Sequence, residues 1–307
     1  MPAHLPHLDT TARTILLTGA TGYVGGRLLP ELLGRGHHVR CLVRTPERAD
    51  LPAGAEVAKG DVVKGEGLQD AMRDVDVAYY LVHSMGRGSE SDEGFAATDR
   101  RAAAAFGDAA RAAGVGRIVY LGGLEGGDSP SEHLRSRHEV AGVLRQRAQE
   151  LVYVRAAMVI GEGSASFQMM RHLVQRLPAM ITPKWIDTRS QPVAIADVVA
   201  TLAQLAELDE VPAEVELGGA DVLTYREMME RFAAILGRRA PVVVTVPFLS
   251  PRLSSYWVSL VTPVEPGLVR PLVDGLSAEM VVREAPPAGI NDRPKGFDDA
   301  VRAALGA

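Results

Sequence analysis

Gly19, Gly22 and Gly25 stand at intervals of three in the run Gly19-Ala20-Thr21-Gly22-Tyr23-Val24-Gly25. They are the residues whose type and spacing point most directly to chemistry. A chain that turns tightly and lets another group come close to its backbone needs positions without a Cβ. The amides at the start of a following helix then attract phosphate. The run follows an apolar stretch, Thr14 to Leu17, and opens a segment in which Val24, Leu28, Leu29, Leu32 and Leu33 recur at helical spacing. Strand, glycine turn and helix are the context that gives this spacing meaning. Gly19, Thr21, Gly22, Tyr23, Val24 and Gly25 are therefore expected to hold a dinucleotide pyrophosphate.

Which dinucleotide is read from the end of the second strand. Folds that select NAD usually carry an acid there for the ribose hydroxyls. Here the segment is His37-His38-Val39-Arg40-Cys41-Leu42-Val43-Arg44, with no acid and with Arg44 just past the strand. A planar guanidinium matches phosphate oxygens, so NADP(H) is expected in preference to NAD(H). Arg40 is either a second phosphate contact or a surface residue. In Gly60-Asp61-Val62, Asp61 with Val62 either meets the adenine or forms a simple turn.

The elements that must position these residues alternate. Apolar runs at Val39–Val43, Glu56–Ala58, Val75–Val82, Arg117–Leu121 and Leu151–Val154 read as strands. Helical patterns lie between them, the later ones at Phe95–Ala113 and Ser131–Arg147. Continuous apolar strands alternating with helices imply a parallel sheet covered on both faces. The fold class expected is α/β, a doubly wound parallel sheet (Rossmann) with a smaller C-terminal substrate lobe. Residues 1–160 form the expected dinucleotide-binding core, with 190–215 returning to it, and 161–189 with 216–307 form the lobe. In the lobe, Phe167–Leu177, Ile195–Leu208, Thr224–Leu236 and Phe297–Leu305 read as helices, and Val242–Val246 as a strand. Thr224-x-x-Glu227 is a capping box.

Composition narrows the function classes. Lys plus Arg is 33 and Asp plus Glu 38, a net charge of −5, and aromatic residues make up 5%. Neither suits a nucleic-acid binder. One cysteine, Cys41, excludes an intrachain disulfide framework. The first residues do not read as a secretory signal, and no run of about 20 apolar residues suggests a transmembrane segment. A cytoplasmic protein is expected, with a homodimer possible. Residues 242–269 are apolar but interrupted by prolines, and read as core, as a dimer face or as a membrane-surface contact.

TGATGYVGG, the Arg44 ending, the Gly60-Asp61-Val62 step and the later PVAIADVV together resemble the short-chain dehydrogenase/reductase superfamily. More narrowly, they resemble its extended or atypical, NmrA-like NAD(P)H-binding members. AYYLVHSM and SEHLRSR are similar to an atypical branch that includes NADPH-binding accessory proteins of respiratory complex I. The resemblance implies that Val82, His83 and Ser84 pass under the cofactor ribose. It also implies that Arg155 to Gly161 faces the nicotinamide, and that Asp197 is a helix-start or interlobe contact. Active members carry Tyr-x-x-x-Lys on the helix after the fifth strand and a hydroxyl at that strand's end. By this alignment His133 replaces Tyr, Arg137 replaces Lys, and the strand ends Leu121-Gly122-Gly123 without a hydroxyl. Residues four apart share a helix face, so His133 and Arg137 can both serve one cleft. A neutral imidazole can donate a proton, whereas Arg137 is a permanent cation that orients. Alternatively, the pair only binds cofactor.

Ser164, Phe167, Met169, Met170, Met180 and Trp185 are candidates for an apolar pocket, with Lys184 and Arg189 at its mouth. The function expected is NADP(H)-dependent hydride transfer to a small or medium apolar carbonyl, enone or quinone, the substrate lying in a cleft that faces the nicotinamide. The alternative is a non-catalytic NADP(H)-sensing regulator or assembly factor.

Overall fold

A computed structural model describes residues 11–83, 92–124, 132–246 and 275–306, with only the backbone at 92, 93, 132 and 133. The first half alternates strands and helices: β1 (Thr14–Thr18), α1 (Gly25–Gly34), β2 (His38–Val43), β3 (Glu56–Lys59), α2 (Leu68–Ala71), β4 (Val77–Tyr80), α3 (Asp92–Ala113), β5 (Arg117–Gly123), α4 (Glu132–Arg145) and β6 (Glu150–Ala156). There follow β7 (Val159–Ile160), α5 (Ala165–Arg176), β8 (Ala179–Thr182), β9 (Arg189–Ser190), β10 (Val193–Ala194), α6 (Ile195–Glu207), β11 (Glu214–Leu217), β12 (Leu223–Thr224), α7 (Tyr225–Ile235), β13 (Val242–Thr245) and α8 (Phe297–Leu305).

Seven strands make one parallel sheet in the order β11-β6-β5-β4-β1-β2-β3. The order reverses beside β1, which places the glycine turn at the switch point where such sheets bind ligands. Successive strand residues face opposite sides, and the core divides accordingly. Ile15, Leu17, Tyr79, Val119 and Val152 pack with α1 and α6, whereas Leu16, Ala78, Tyr80, Ile118 and Tyr120 pack with α3 and α4. A third cluster, including Phe167, Met170, Trp185, Met228, Phe232 and Phe297, forms a lobe beyond the C-terminal ends of the strands.

Most elements lie where the periodicity places them. α8 has the expected bounds, and the capping box at Thr224 and Glu227 is formed. β5 and β6 run two residues further than expected, because the ladder continues through Gly122↔Arg155 and Gly123↔Ala156. β4 stops at Tyr80, short of Val82.

Strand β11 has no counterpart in the sequence reading. Its residues, Glu-Val-Glu-Leu, look too polar for a sheet. Arg155 compensates by pairing with Glu214 at 2.8 Å and Glu216 at 3.1 Å across the β6–β11 ladder. Buried Glu216 also accepts from the amide of Arg283 at 2.6 Å, so its charge is compensated as burial requires. Asp197 accepts from the Lys295 amide at 2.8 Å, which ties the start of α6 to the segment before α8.

Candidate active site

The glycine turn is a feature of backbone geometry. Gly19 has φ +73°, a region L side chains rarely adopt, and a Cβ there would sit 2.5 Å from the Leu81 carbonyl oxygen. A Cβ on Gly25 would run into the Gly19 carbonyl, whereas one on Gly22 meets only that oxygen, at 3.1 Å. Gly22 donates to Gly19 O at 2.8 Å and closes the turn. Thr18 anchors it from beneath: its buried hydroxyl donates to Tyr79 O at 2.8 Å and accepts from Leu81 N at 3.1 Å. No side chain caps the start of α1; Gly26 N and Arg27 N donate to Gly22 O at 2.9 Å and Val24 O at 3.0 Å, and the positive end of the helix favours an anion beside the turn.

Tyr23 closes the turn toward the lobe. Arg27 lies over its ring, 4.3 Å from the centroid, and donates to Tyr23 O at 3.0 Å and Glu162 O at 2.6 Å. Gly161 makes room for the phenol, since a Cβ there would strike the Tyr23 hydroxyl. That hydroxyl is buried and makes no hydrogen bond among the described residues. Burial pushes its pKa up to about 12, so it remains protonated.

Arg44 is exposed just past the C-terminal end of β2. Arg40 is no phosphate contact. It donates to Glu56 at 2.7 Å and to the Ala71 and Arg73 carbonyls at 2.8 Å each, and so binds β2 to β3 and to the end of α2. Asp61 accepts from Val63 N at 2.9 Å through Oδ1 and so holds a turn, while Val62 is buried in the core beside α2 and α3. Val82 and His83 follow β4 and are half-buried, and Ser84 lies outside the described residues.

One cavity of about 390 Å³ joins the glycine turn to the lobe. Gly19, Gly22, Tyr23, Val24 and Gly25 line one end. The middle is formed by His83, Gly122, Gly123, Leu134, Arg137 and Ala156 to Val159. Met169, Met170, Leu173, Trp185, Met229 and Leu276 line the lobe end. Four pocket candidates, Ser164, Met169, Met170 and Trp185, therefore reach the cavity. Phe167 and Met180 do not: both are buried in the lobe core, Phe167 against Phe232. Arg189 is exposed and paired with Glu279 at 2.6 Å, and Lys184 is exposed outside the lining. Ser164 caps α5, and its hydroxyl also donates to Val159 O at 2.8 Å. Met158 lies in the Arg155 to Gly161 stretch and lines the cavity; sequence reasoning missed Tyr225, Met229, Leu276 and Met280. Their only signal was apolar character within two separate stretches of the chain.

In α4, Leu134 and Arg137 stand one turn apart, and both line the cavity. His133 belongs to the same helix, but its side chain is outside the described residues, as are Ser129 to Ser131 before it. Behind the cavity wall runs an aromatic series. Phe106 meets Tyr80 at 5.0 Å, Tyr80 meets Tyr120 at 5.8 Å, and Tyr120 stacks on Tyr153 at 5.3 Å, while His83 contacts Tyr120 edge-on at 6.1 Å. Burial raises the Tyr120 phenol well above its ordinary range, and nearby Arg137 only partly opposes this. Gly122 has no Cβ because the Tyr153 ring fills that space; a Cβ would lie 2.6 Å from Cε2 and 2.7 Å from the hydroxyl. The absent strand-end hydroxyl thus has a packing cause. Among the described residues no group of three or more His, Cys, Asp or Glu could hold a metal ion, and no helix is long and apolar enough to cross a membrane.

Residues 19–159 match a family model described as NAD(P)H-binding. A 3-beta-hydroxysteroid dehydrogenase of Mycolicibacterium neoaurum is 33% identical over 93 residues, covering 29% of this chain and 25% of that protein. The chain thus matches about a quarter of that relative's length. A ceramide reductase of Caulobacter vibrioides is 28% identical over 251 residues, 78% of this chain and 76% of the relative. In fold, the chain is similar to a Citrobacter sp. triphenylmethane reductase solved with NADP(H), with TM-score 0.73 and 20% identity over 95% of this chain and 100% of the other. The architecture is a Rossmann-like fold.

Proposed function

From a chain that carries an NAD(P)H-binding domain over residues 19–159, we propose a reductase that uses NADPH to reduce an apolar carbonyl, enone or quinone of small to medium size. The observation that carries this reading is the continuous cavity. It begins at a turn shaped for a pyrophosphate and ends among methionines and leucines, with Arg137 and His83 between. A turn of this kind could serve a nucleotide alone. A cavity that continues into an apolar lobe has room for a second molecule, and methionine lining adapts to irregular apolar shapes.

In this reading Gly19, Thr21, Gly22, Tyr23, Val24 and Gly25 hold the pyrophosphate at the start of α1. Arg44 meets the 2′-phosphate, Asp61 and Val62 border the adenine, and Val82, His83 and Ser84 border the ribose. NADPH, when bound, supplies a hydride. Arg137 orients oxygen atoms of cofactor or substrate. His133, one helical turn earlier, donates a proton to the substrate oxygen as the carbonyl is reduced. The lobe residues exclude water from the reacting end. The reductase names among the relatives fit a hydride-transfer reading.

Gly122 and Gly123 favour a second reading, since the strand end offers no hydroxyl to support a reacting oxygen. The protein would then bind NADP(H) without turnover, as a sensor or assembly factor. Absorbance of NADPH, followed with a panel of apolar aldehydes, ketones, enones and quinones, separates the two. Oxidation with at least one class supports the reductase. Tight NADPH binding without oxidation by any supports the sensor.

A further inference from the structure

We propose that the outer face of the β8–β13 pair is a docking surface for an anionic lipid membrane. The two strands run parallel, with Val242 opposite Ala179 and Val244 opposite Ile181. Side chains alternate along each strand, so these four share one face, and all four are exposed. Ile181 is 56%, Val242 64% and Val244 52% exposed. A strand pair with one solvated face ordinarily makes that face polar. Here both faces are apolar: Met180 and Val243 point inward beside Thr182 and Thr245, while isoleucine and valines point outward.

Charge selects the occupant. The segments that build this region contain no acid from Gly163 to Ile186 and none from Arg231 to Val246, in a chain whose net charge is −5. Arg176 stands just before β8 and Lys184 just after it, while Arg238 and Arg239 lie just before β13. All four are exposed, and Arg238 donates to Gln175 O at 2.7 Å, tying the segment before β13 to the end of α5. Lys184 and Arg239 make no hydrogen bond or ion pair among the described residues. An apolar centre with a basic rim suits an interface of acyl chains and anionic headgroups. A second copy of this face would bring the basic rims together, because a twofold contact uses the same patch twice.

The position has a consequence for the cavity. The inward side of the pair, Met180 and Val243, packs on the lobe cluster whose Met170, Leu173 and Trp185 line the cavity. A docked protein would hold its apolar chamber beside the bilayer, where apolar substrates partition. The proposal itself depends on the outer face alone and not on the reductase reading.

The test is co-sedimentation of the full chain with phosphatidylcholine vesicles, with and without phosphatidylserine, at low and high salt. NADPH fluorescence titration of the same samples reports the cofactor site separately. Each basic side chain near an anionic surface contributes roughly fivefold to partitioning. Binding should therefore need phosphatidylserine and weaken with salt. Lys184→Ser with Arg239→Ser, which leaves the strands untouched, should lose about 25-fold. Val244→Asp should abolish binding while NADPH affinity stays unchanged. Three results would overturn the proposal: no association with anionic vesicles, association indifferent to both variants, or a wild-type dimer that Val244→Asp converts to monomer.

Discussion

The two ends of the cavity are built by different means. At the glycine turn the backbone makes the site, and the constraints are absolute: a Cβ on Gly19 would sit 2.5 Å from a carbonyl oxygen. At the lobe end side chains make it, and they come from separate stretches around Met158 to Leu173, Trp185, Tyr225 to Met229 and Gly275 to Met280. A backbone site tolerates one chemistry and is spelled by a local motif. A side-chain site can be refashioned residue by residue, and nothing local in the chain spells it. The cofactor end should therefore fail sharply under substitution, and the lobe end should retune.

The largest expected effect is at the turn. Gly22 is exposed, and an added Cβ would meet only Gly19 O, at 3.1 Å, so Gly22→Val should fold. Its side chain fills the pyrophosphate cradle and removes charge-assisted contacts worth about 1.5–3 kcal/mol each. Two such contacts amount to roughly a thousandfold in NADPH affinity, read by fluorescence titration alongside circular dichroism. Normal affinity would reduce the turn to a structural feature.

Next is α4. His133→Ala should lower turnover at least about a hundredfold, the lower bound for a general acid, with NADPH affinity nearly unchanged. Arg137→Ala should instead weaken binding first. Turnover indifferent to His133→Ala would assign the proton to solvent. Arg44→Ala should cost about ten- to a hundredfold in NADPH affinity and nothing in NADH affinity, by loss of one charge-assisted phosphate contact. Equal losses for both nucleotides would remove Arg44 from the phosphate.

The smallest effect lies far from the cofactor. Thr224→Ala opens the α7 capping box, in which the Thr224 hydroxyl accepts from Glu227 N at 3.2 Å. Stability should fall by about 1 kcal/mol in denaturant titration, with NADPH affinity unaltered. A matching loss of affinity would show that lobe and turn are coupled.

The same contrast explains how much of the molecule could be read from its sequence. Most strands from β1 to β6 carry continuous apolar runs and the helices between them a period-3.6 signal, both enforced by burial, and the glycine turn sits where the first run gives way to the first helix. Capping residues located α7. β11 escaped because its glutamates are neutralised by Arg155 from another strand, a tertiary compensation that no local pattern records. Arg40 was ambiguous for the same reason, since its partners lie 16, 31 and 33 residues away. In the lobe, Phe167 and Met170 are three residues apart on one helix, yet only Met170 reaches the cavity. Apolar character marked both as buried but could not tell core from lining. The Gly122 gap was legible as a missing hydroxyl, while its cause, the Tyr153 ring, required the β5–β6 register.

The central claim is that a hydride delivered at the backbone-built end reaches a substrate held at the side-chain-built end. Isotope transfer tests it most directly. The protein is incubated with NADPH deuterated at the transferable position and an apolar aldehyde or enone that supports oxidation, or with the whole panel if none is yet known. The account predicts deuterium on the carbon of the reduced product, lost in Gly22→Val. NADPH that binds tightly yet retains its deuterium with every substrate class would contradict it.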